Sequence, residues 1–227
     1  MELSIQGEGS FQSCRIELVP GESFLSEAGA MVQMSPSLSM DVSTRSRGGG
    51  GFMKGLKRLL GGDSFFLATY KANEPGHVVI APTLVGSILP LEITDALPIV
   101  CTGGSFLGCM DTVSLDTQFQ GARGILTGES LFFLELSGEG TALVNAFGHV
   151  EAHEVDGSYI VDTGHVVAFE SSLEYNIGKA GGSWLQSFFA GEGFVFHFHG
   201  QGRVWVQSHN PSVFGHAVGR RLPPREE

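Results

Sequence analysis

His197 and His199 stand two residues apart in Phe194-Val195-Phe196-His197-Phe198-His199. On a strand, residues i and i+2 share a face, so both imidazoles point the same way, as a metal on a double-stranded β-helix would require. Such a site also wants a carboxylate a few residues later, and Gly200-Gln201-Gly202-Arg203-Val204 offers none. Leu134 and Leu136 occupy the corresponding places earlier in the chain, where packing suffices. His197 and His199 are therefore expected as core or subunit-contact histidines, with a metal site the weaker alternative, and no cofactor is expected. His149 and His153, with Glu151 and Glu154, form a second cluster whose two histidines share a face if the segment is a strand. Gly62-Asp63-Ser64 has the look of a nucleophile turn, but Gly128-Glu129-Ser130 and Gly191-Glu192-Gly193 repeat the pattern with the serine lost in the third copy. A nucleophile also needs a base with an orienting partner, and the order of residues nominates neither. Gly48 to Gly51 is no phosphate loop, because Gly55 is followed by Leu56 and not by Lys and a hydroxyl residue.

The elements that would position these groups read as strands. Gly29, Gly104 and Gly164 are each followed by apolar pairs (Met31-Val32, Phe106-Leu107, Val166-Val167) and then, nine residues on, by Leu38, Val113 and Leu173. Alternation follows at Leu38, Met40 and Val42, at Val113 and Leu115, and at Leu173, Tyr175 and Ile177, which is the period of a strand and not of a helix. A Gly-acid-Gly/Ser turn then opens a second, Phe-rich strand ending in glycine turns at Gly76, at Gly138 with Gly140, and at Gly200 with Gly202. Glycine at one phase of each unit marks positions that need positive φ or a close approach. The expected fold is all-β: three repeated β-sandwich or short double-stranded β-helix units around a pseudo-threefold axis, with one short inserted helix. The domain would span 1–210, with units at about 19–82, 91–146 and 155–208, and residues 211–227 would form a frayed tail. A chain of 24.1 kDa buries enough surface for one core. Strands apolar on both faces point to a homo-oligomer.

Residues 43–62 interrupt the first unit. Its two glycine landmarks, Gly29 and Gly62, lie 33 residues apart, against 24 and 27 in the others. The insert holds five of the thirteen basic residues and no acid. Phe52, Met53, Leu56, Leu59 and Leu60 recur at helical spacing with Lys54, Lys57 and Arg58 on the remaining arc, so a short basic amphipathic helix is expected here. Nine residues do not hold a helix alone in water. Phe52, Met53, Lys54, Leu56, Lys57 and Arg58 would dock on the chain's own sheet, on a neighbouring subunit, on an unknown protein partner or on an anionic membrane surface.

Formal net charge is −11, which repels a phosphate backbone and argues against nucleic acid as a partner. Met1-Glu2-Leu3-Ser4-Ile5 has no basic head or apolar run and is not expected to be a secretory signal. Cys14, Cys101 and Cys109 are an odd number without CxxC spacing, fitting core thiols in a reducing cytoplasm.

Pro20-Gly21-Glu22, Glu27-Ala28-Gly29-Ala30-Met31, the insert leading to Gly62-Asp63-Ser64-Phe65, Leu136-Ser137-Gly138-Glu139-Gly140, Val161 to Phe169, and Gly191 to Gln207 together resemble the altered-inheritance-of-mitochondria family. The likeness runs from about Val19 to Ser208. It implies a β fold similar to that of the tryptophan RNA-binding attenuation protein, three such units in one chain, and no established catalytic residues. Fungal members of that family are associated with mitochondrial inner-membrane organisation, whereas this chain, with no transit extension before its first unit, looks like a bacterial cytoplasmic member. RNA binding does not follow from a fold name. The expected function is a non-catalytic oligomeric scaffold or interaction protein contacting its partner through the insert. One alternative is a small-molecule or peptide binding module in a groove where Trp184 and Trp205 stack on a guest; the other is a metal-dependent enzyme using His197 and His199.

Overall fold

The structure is a computed structural model that describes residues 1–43, 66–118, 132–179 and 194–223. Its first strands are β1 (Glu2–Gln6), β2 (Ser13–Leu18), β3 (Ser23–Glu27), β4 (Met31–Met34), β5 (Leu38–Ser43), β6 (Leu67–Ala72) and β7 (Gly76–Ile80). There follow β8 (Ile88–Ile93), β9 (Ile99–Thr102), β10 (Phe106–Met110), β11 (Val113–Gln118), β12 (Phe133–Gly138) and β13 (Gly140–Asn145). The last are β14 (Val150–Asp162), β15 (Val166–Glu170), β16 (Glu174–Lys179) and β17 (Phe194–Gln207), closed by helix α1 (Pro211–Gly219). The all-β expectation holds.

Three sheets result. One runs β1-β2-β7-β4, the next β5-β6-β3-β10-β13-β8, and the third β11-β12-β9-β15-β17-β14, with β16 also on β17. Every named pair is antiparallel, and the two long strands β14 and β17 pair along their whole length, from Val150 opposite Gln207 to Asp162 opposite Val195. Within each of the two larger sheets, strands distant in sequence pair: β3 with β10 through Ser26–Gly108, Leu25–Cys109 and Phe24–Met110, and β9 with β15 through Cys101–Ala168, Val100–Phe169 and Ile99–Glu170. Among the described residues β4 has no partner beyond β7, and the second half of β14 none beyond β17. The strands therefore curl openly and do not close on themselves.

Alternation decides what is buried. In β17 Phe196 and Phe198 turn inward and stack, their ring centroids 5.1 Å apart and 3° from parallel. Around them stand Phe133, Phe169 and Tyr175, with Phe169–Tyr175 at 4.9 Å and Phe133–Phe196 at 5.8 Å. Edge-on and offset rings of this kind add about 0.5–1.5 kcal/mol per pair beyond area burial. Cys14, Cys101 and Cys109 are all buried and free, as core thiols. One buried charge is met in full: the Glu170 carboxylate accepts from Arg203 Nε at 2.7 Å and from the Arg203 backbone N–H at 3.1 Å.

Two expectations change. The segment after 210 does not fray as far as Gly219. Asn210 caps α1 by accepting from the Ser212 and Val213 amides at 2.9 and 3.2 Å, Pro211 sits at the first helical turn where no N–H is needed, and Phe214 packs on Phe147 with centroids 5.1 Å apart. The shared glycine phase also holds for different reasons at different places. Gly29 has φ +94° and Gly164 lies against the Asn210 side chain, but a Cβ at Gly104 would meet open space. There the close approach falls on Gly103, under the Phe132 ring, because Thr102 and Ser105 clip the turn together through their hydroxyls at 2.8 Å. The expected inserted helix lies outside the described residues.

Phe169→Ala empties the centre of the aromatic cluster and is expected to cost about 3–5 kcal/mol in urea unfolding. Gly86→Ala should be comparably severe, since a Cβ at Gly86 would run into the Ala146 carbonyl.

Candidate functional site

The end of β3, the 3₁₀ turns Gly103–Ser105 and Thr163–His165, and the start of α1 surround a cleft of about 600 Å³. Glu27, Thr102, Phe132, Asn145, Gln207 and His216 contribute to its wall. The last residues of β3 and β9 and the second half of β14 stand in equivalent register, Glu27 opposite Leu67, Thr102 opposite Phe133, Asp162 opposite Val195. Two of these three side chains serve the turn that follows. Thr102 Oγ1 bonds Ser105 Oγ at 2.8 Å and donates to the Val166 carbonyl at 3.3 Å, while Asp162 Oδ1 accepts from the Gly164 amide at 2.9 Å and from Asn210 Nδ2 at 3.4 Å.

Glu27 has no such duty. Among the described residues its carboxyl makes no hydrogen bond or ion pair, and burial pushes its pKa up to about 7. Water cannot solvate the carboxylate well at the cleft floor, so the neutral acid is favoured. Two other polar groups of the wall are already occupied. Gln207 donates to the Gly164 carbonyl at 2.8 Å and accepts from the Phe147 amide at 2.8 Å. His216 Nδ1 lies 2.8 Å from the Ser212 carbonyl, to which it donates within α1. No local pattern in Ser23-Phe24-Leu25-Ser26-Glu27 marks the acid; the groups that surround it in the cleft come from the distant turns and α1.

The histidines expected from spacing do share a face. It is the outward face, opposite Phe196 and Phe198, so the core reading fails: His197 is half-buried across from Asn176 and Ile160, and His199 is exposed across from Glu174 and Ser158. His199 Nδ1 is 3.1 Å from Ser158 Oγ. Glu151 stands between His149 and His153, 3.7 Å from each, as an exposed surface trio. Among the described residues no group of three His, Cys, Asp or Glu is arranged to hold a metal ion. Trp205 is 5% exposed within the core, under the Arg203 guanidinium 5.5 Å from its ring centroid, and so is closed to a guest. Trp184, Gly62-Asp63-Ser64 and the insert residues Phe52, Met53, Lys54, Leu56, Lys57 and Arg58 lie outside the described residues. Among the described residues no helix is long and apolar enough to cross a membrane.

A carboxyl whose folded pKa exceeds its unfolded value binds a proton more tightly when folded, so stability falls as pH rises from about 4.5 to about 7. Glu27→Gln is expected to remove that decline, raising stability at pH 8 by on the order of 2 kcal/mol after discounting residual solvent contact, with little gain at pH 4.5. Urea titrations at the two pH values check it.

Comparison with known proteins agrees with this architecture. An uncharacterized protein of Streptococcus pyogenes serotype M6 is 28% identical over 229 residues, covering 98% of this chain and 92% of the relative. An X-ray crystal structure of a Streptococcus pyogenes protein superimposes with a TM-score of 0.80 at 27% identity, over 97% of this chain and 99% of that one. The mitochondrial biogenesis AIM24 family matches residues 3–209, from β1 through the strands that build the cleft to the last residue before the cap of α1, and the chain belongs to that family.

Proposed function

We propose that the chain is a non-catalytic oligomeric interaction protein built from three copies of one β unit, in the manner of the tryptophan RNA-binding attenuation protein. The pairings support the triplication. β5 with β6, β11 with β12 and β16 with β17 are the same hairpin; β2 with β7, β8 with β13 and the first half of β14 with the second half of β17 are the same outer pair. β4, β10 and β15 each carry a register shift at the same step, between Met31 and Gln33, Phe106 and Gly108, and Val166 and Ala168.

The observation that carries the non-catalytic reading is that, among the described residues, no serine–histidine pair has an orienting carboxylate and no thiol has its pKa lowered. Three serines approach a histidine Nδ1, Ser35 with His77 at 2.9 Å, Ser158 with His199 at 3.1 Å and Ser208 with His209 at 2.8 Å. Ser35 Oγ also accepts the His77 amide, which makes it a clip. Among the described residues no carboxylate pairs with any of these three rings to orient it, and a serine–histidine pair lacking that partner is a poor nucleophile. The thiols are no better placed. Burial pushes Cys14 up to about 11 and Cys101 to about 12, and raises Cys109 further, so none is a thiolate near neutrality.

Glu27 favours a second reading, a small-molecule guest in the cleft that donates a hydrogen bond or positive charge to an otherwise unmet carboxyl. Native mass spectrometry and paired probe labelling separate the readings. The scaffold reading expects a discrete homo-oligomer at micromolar concentration, and no folded-state-specific labelling by a fluorophosphonate or a thiol alkylator at pH 8. Stoichiometric labelling of one serine or cysteine, absent after denaturation, would overturn it. A low-mass species retained by the wild type and lost in Glu27→Gln would instead establish the guest site.

A further inference from the structure

We infer that a second copy of this chain lays its β4 edge along the second half of β14, continuing the sheet head to tail. The inference rests on the three-unit reading above and adds to it the surface that oligomerises. Within the chain, the strands of one unit join those of the next in the same way twice. β10 lies antiparallel to β3, and β15 lies antiparallel to β9, in matching register: Gly108 opposite Ser26 corresponds to Ala168 opposite Cys101, and Cys109 opposite Leu25 to Phe169 opposite Val100. The third copies of these two edges are β4 and the second half of β14, and among the described residues each ends its sheet. Two matching edges that the chain joins internally thus stand without a described partner at its two ends.

Burial shows what the missing join leaves exposed. Phe106 and Leu107 are 0% exposed and Val166 and Val167 are 2% and 0%, whereas Met31 and Val32, at the same steps, are 39% and 61% exposed. On the other side Val100 is 3% exposed and Ile160 is 56%. Leu25 packs into the core of the following unit and Val100 into that of the unit after it; Ile160 stands in the same place with no following unit to enter. A further thread repeats the pattern. Isolated parallel bridges link Phe11 to Gly86 and Gly86 to Gly148, and Phe11 at the free end is 75% exposed. The next step of that series sets Phe11 of one copy beside Gly148 of another.

The edges are also chemically suited to be covered. Met31-Val32-Gln33-Met34 and Ser158-Tyr159-Ile160-Val161 carry no charge, no proline and no lysine, the devices by which a permanently free edge avoids pairing. Carrying over the internal register sets Gln33 opposite Val161, Met34 opposite Ile160 and Ser35 opposite Tyr159. Such an interface is heterologous, since the two surfaces differ, so it closes into a ring or extends as a filament. With −11 charges on each chain, copies repel at long range, and added salt strengthens the assembly by screening.

The test uses the full chain. Ile160→Lys and Val32→Lys each place a charge on an exposed edge position and should leave the thermal unfolding of the protomer within a few degrees of wild type. Each is expected to shift sedimentation from the oligomer to the monomer, weakening association at least tenfold. Separately, Met34→Cys protein mixed with Ile160→Cys protein should give a disulfide-linked heterodimer on mild oxidation, which neither variant gives alone. Persistence of the wild-type oligomer in both lysine variants, with no cross-link in the mixture, overturns this interface while leaving an oligomeric scaffold standing. A wild type that is monomeric at every concentration and salt, or that carries a different polypeptide on the edge, overturns both.

Discussion

The whole structure depends on continuity of backbone hydrogen bonding from strand to strand. A strand apolar on both faces can be buried only if its N–H and C=O groups also find partners on both sides. In the middle of the chain this is met by pairing between distant segments: β10, almost all buried, lies between β13 and β3, and the buried β15 lies between β17 and β9. Register between distant segments is then inherited by every side chain on those strands. A slip of one residue between β9 and β15 would turn Val100 and Phe169 out of the aromatic cluster. The packing of Phe133, Phe169, Phe196 and Phe198 and the pairing that places them are thus one constraint seen twice.

That constraint also explains where the cleft lies. The residues closing β3 and β9 come together there with the 3₁₀ turns that follow β9 and β14. Thr102 and Asp162 spend their side chains on those turns. Glu27 closes a strand whose following turn is shaped by Gly29 at φ +94° and needs no side-chain cap, which leaves its carboxyl over. Helix α1, held by Asn210, adds a wall and part of the burial. The raised pKa of Glu27 comes from burial in this convergence.

Much of the strand inventory was legible because period-two alternation is local. Val113 and Leu115, Leu173 with Tyr175 and Ile177, and Phe196 with Phe198 each announce a strand face without reference to the rest of the molecule. The same alternation placed His197 and His199 on one face but did not say which face was inside; the phenylalanines between them took the core. Trp205 looked available for stacking because an aromatic side chain carries no mark of burial, and the strands on either side of β17 closed over it. The helix after Asn210 was missed although Asn-Pro-Ser is a good start signal, because nine residues cannot hold a helix alone and its hold on Phe147 and Asp162 is tertiary.

Order along the chain therefore determined the strands, which of their residues share a face, the glycine turns and the inward place of Cys14, Cys101 and Cys109, since each follows from a few adjacent residues and the geometry of an extended backbone. Tertiary structure alone decided that β3 meets β10 and β9 meets β15 and that, among the described residues, Glu27 lines the cleft without a partner and β4 and the end of β14 stand at sheet edges. Backbone hydrogen bonds between strands are indifferent to side-chain identity, so which edge pairs with which is settled by how distant segments stack in space.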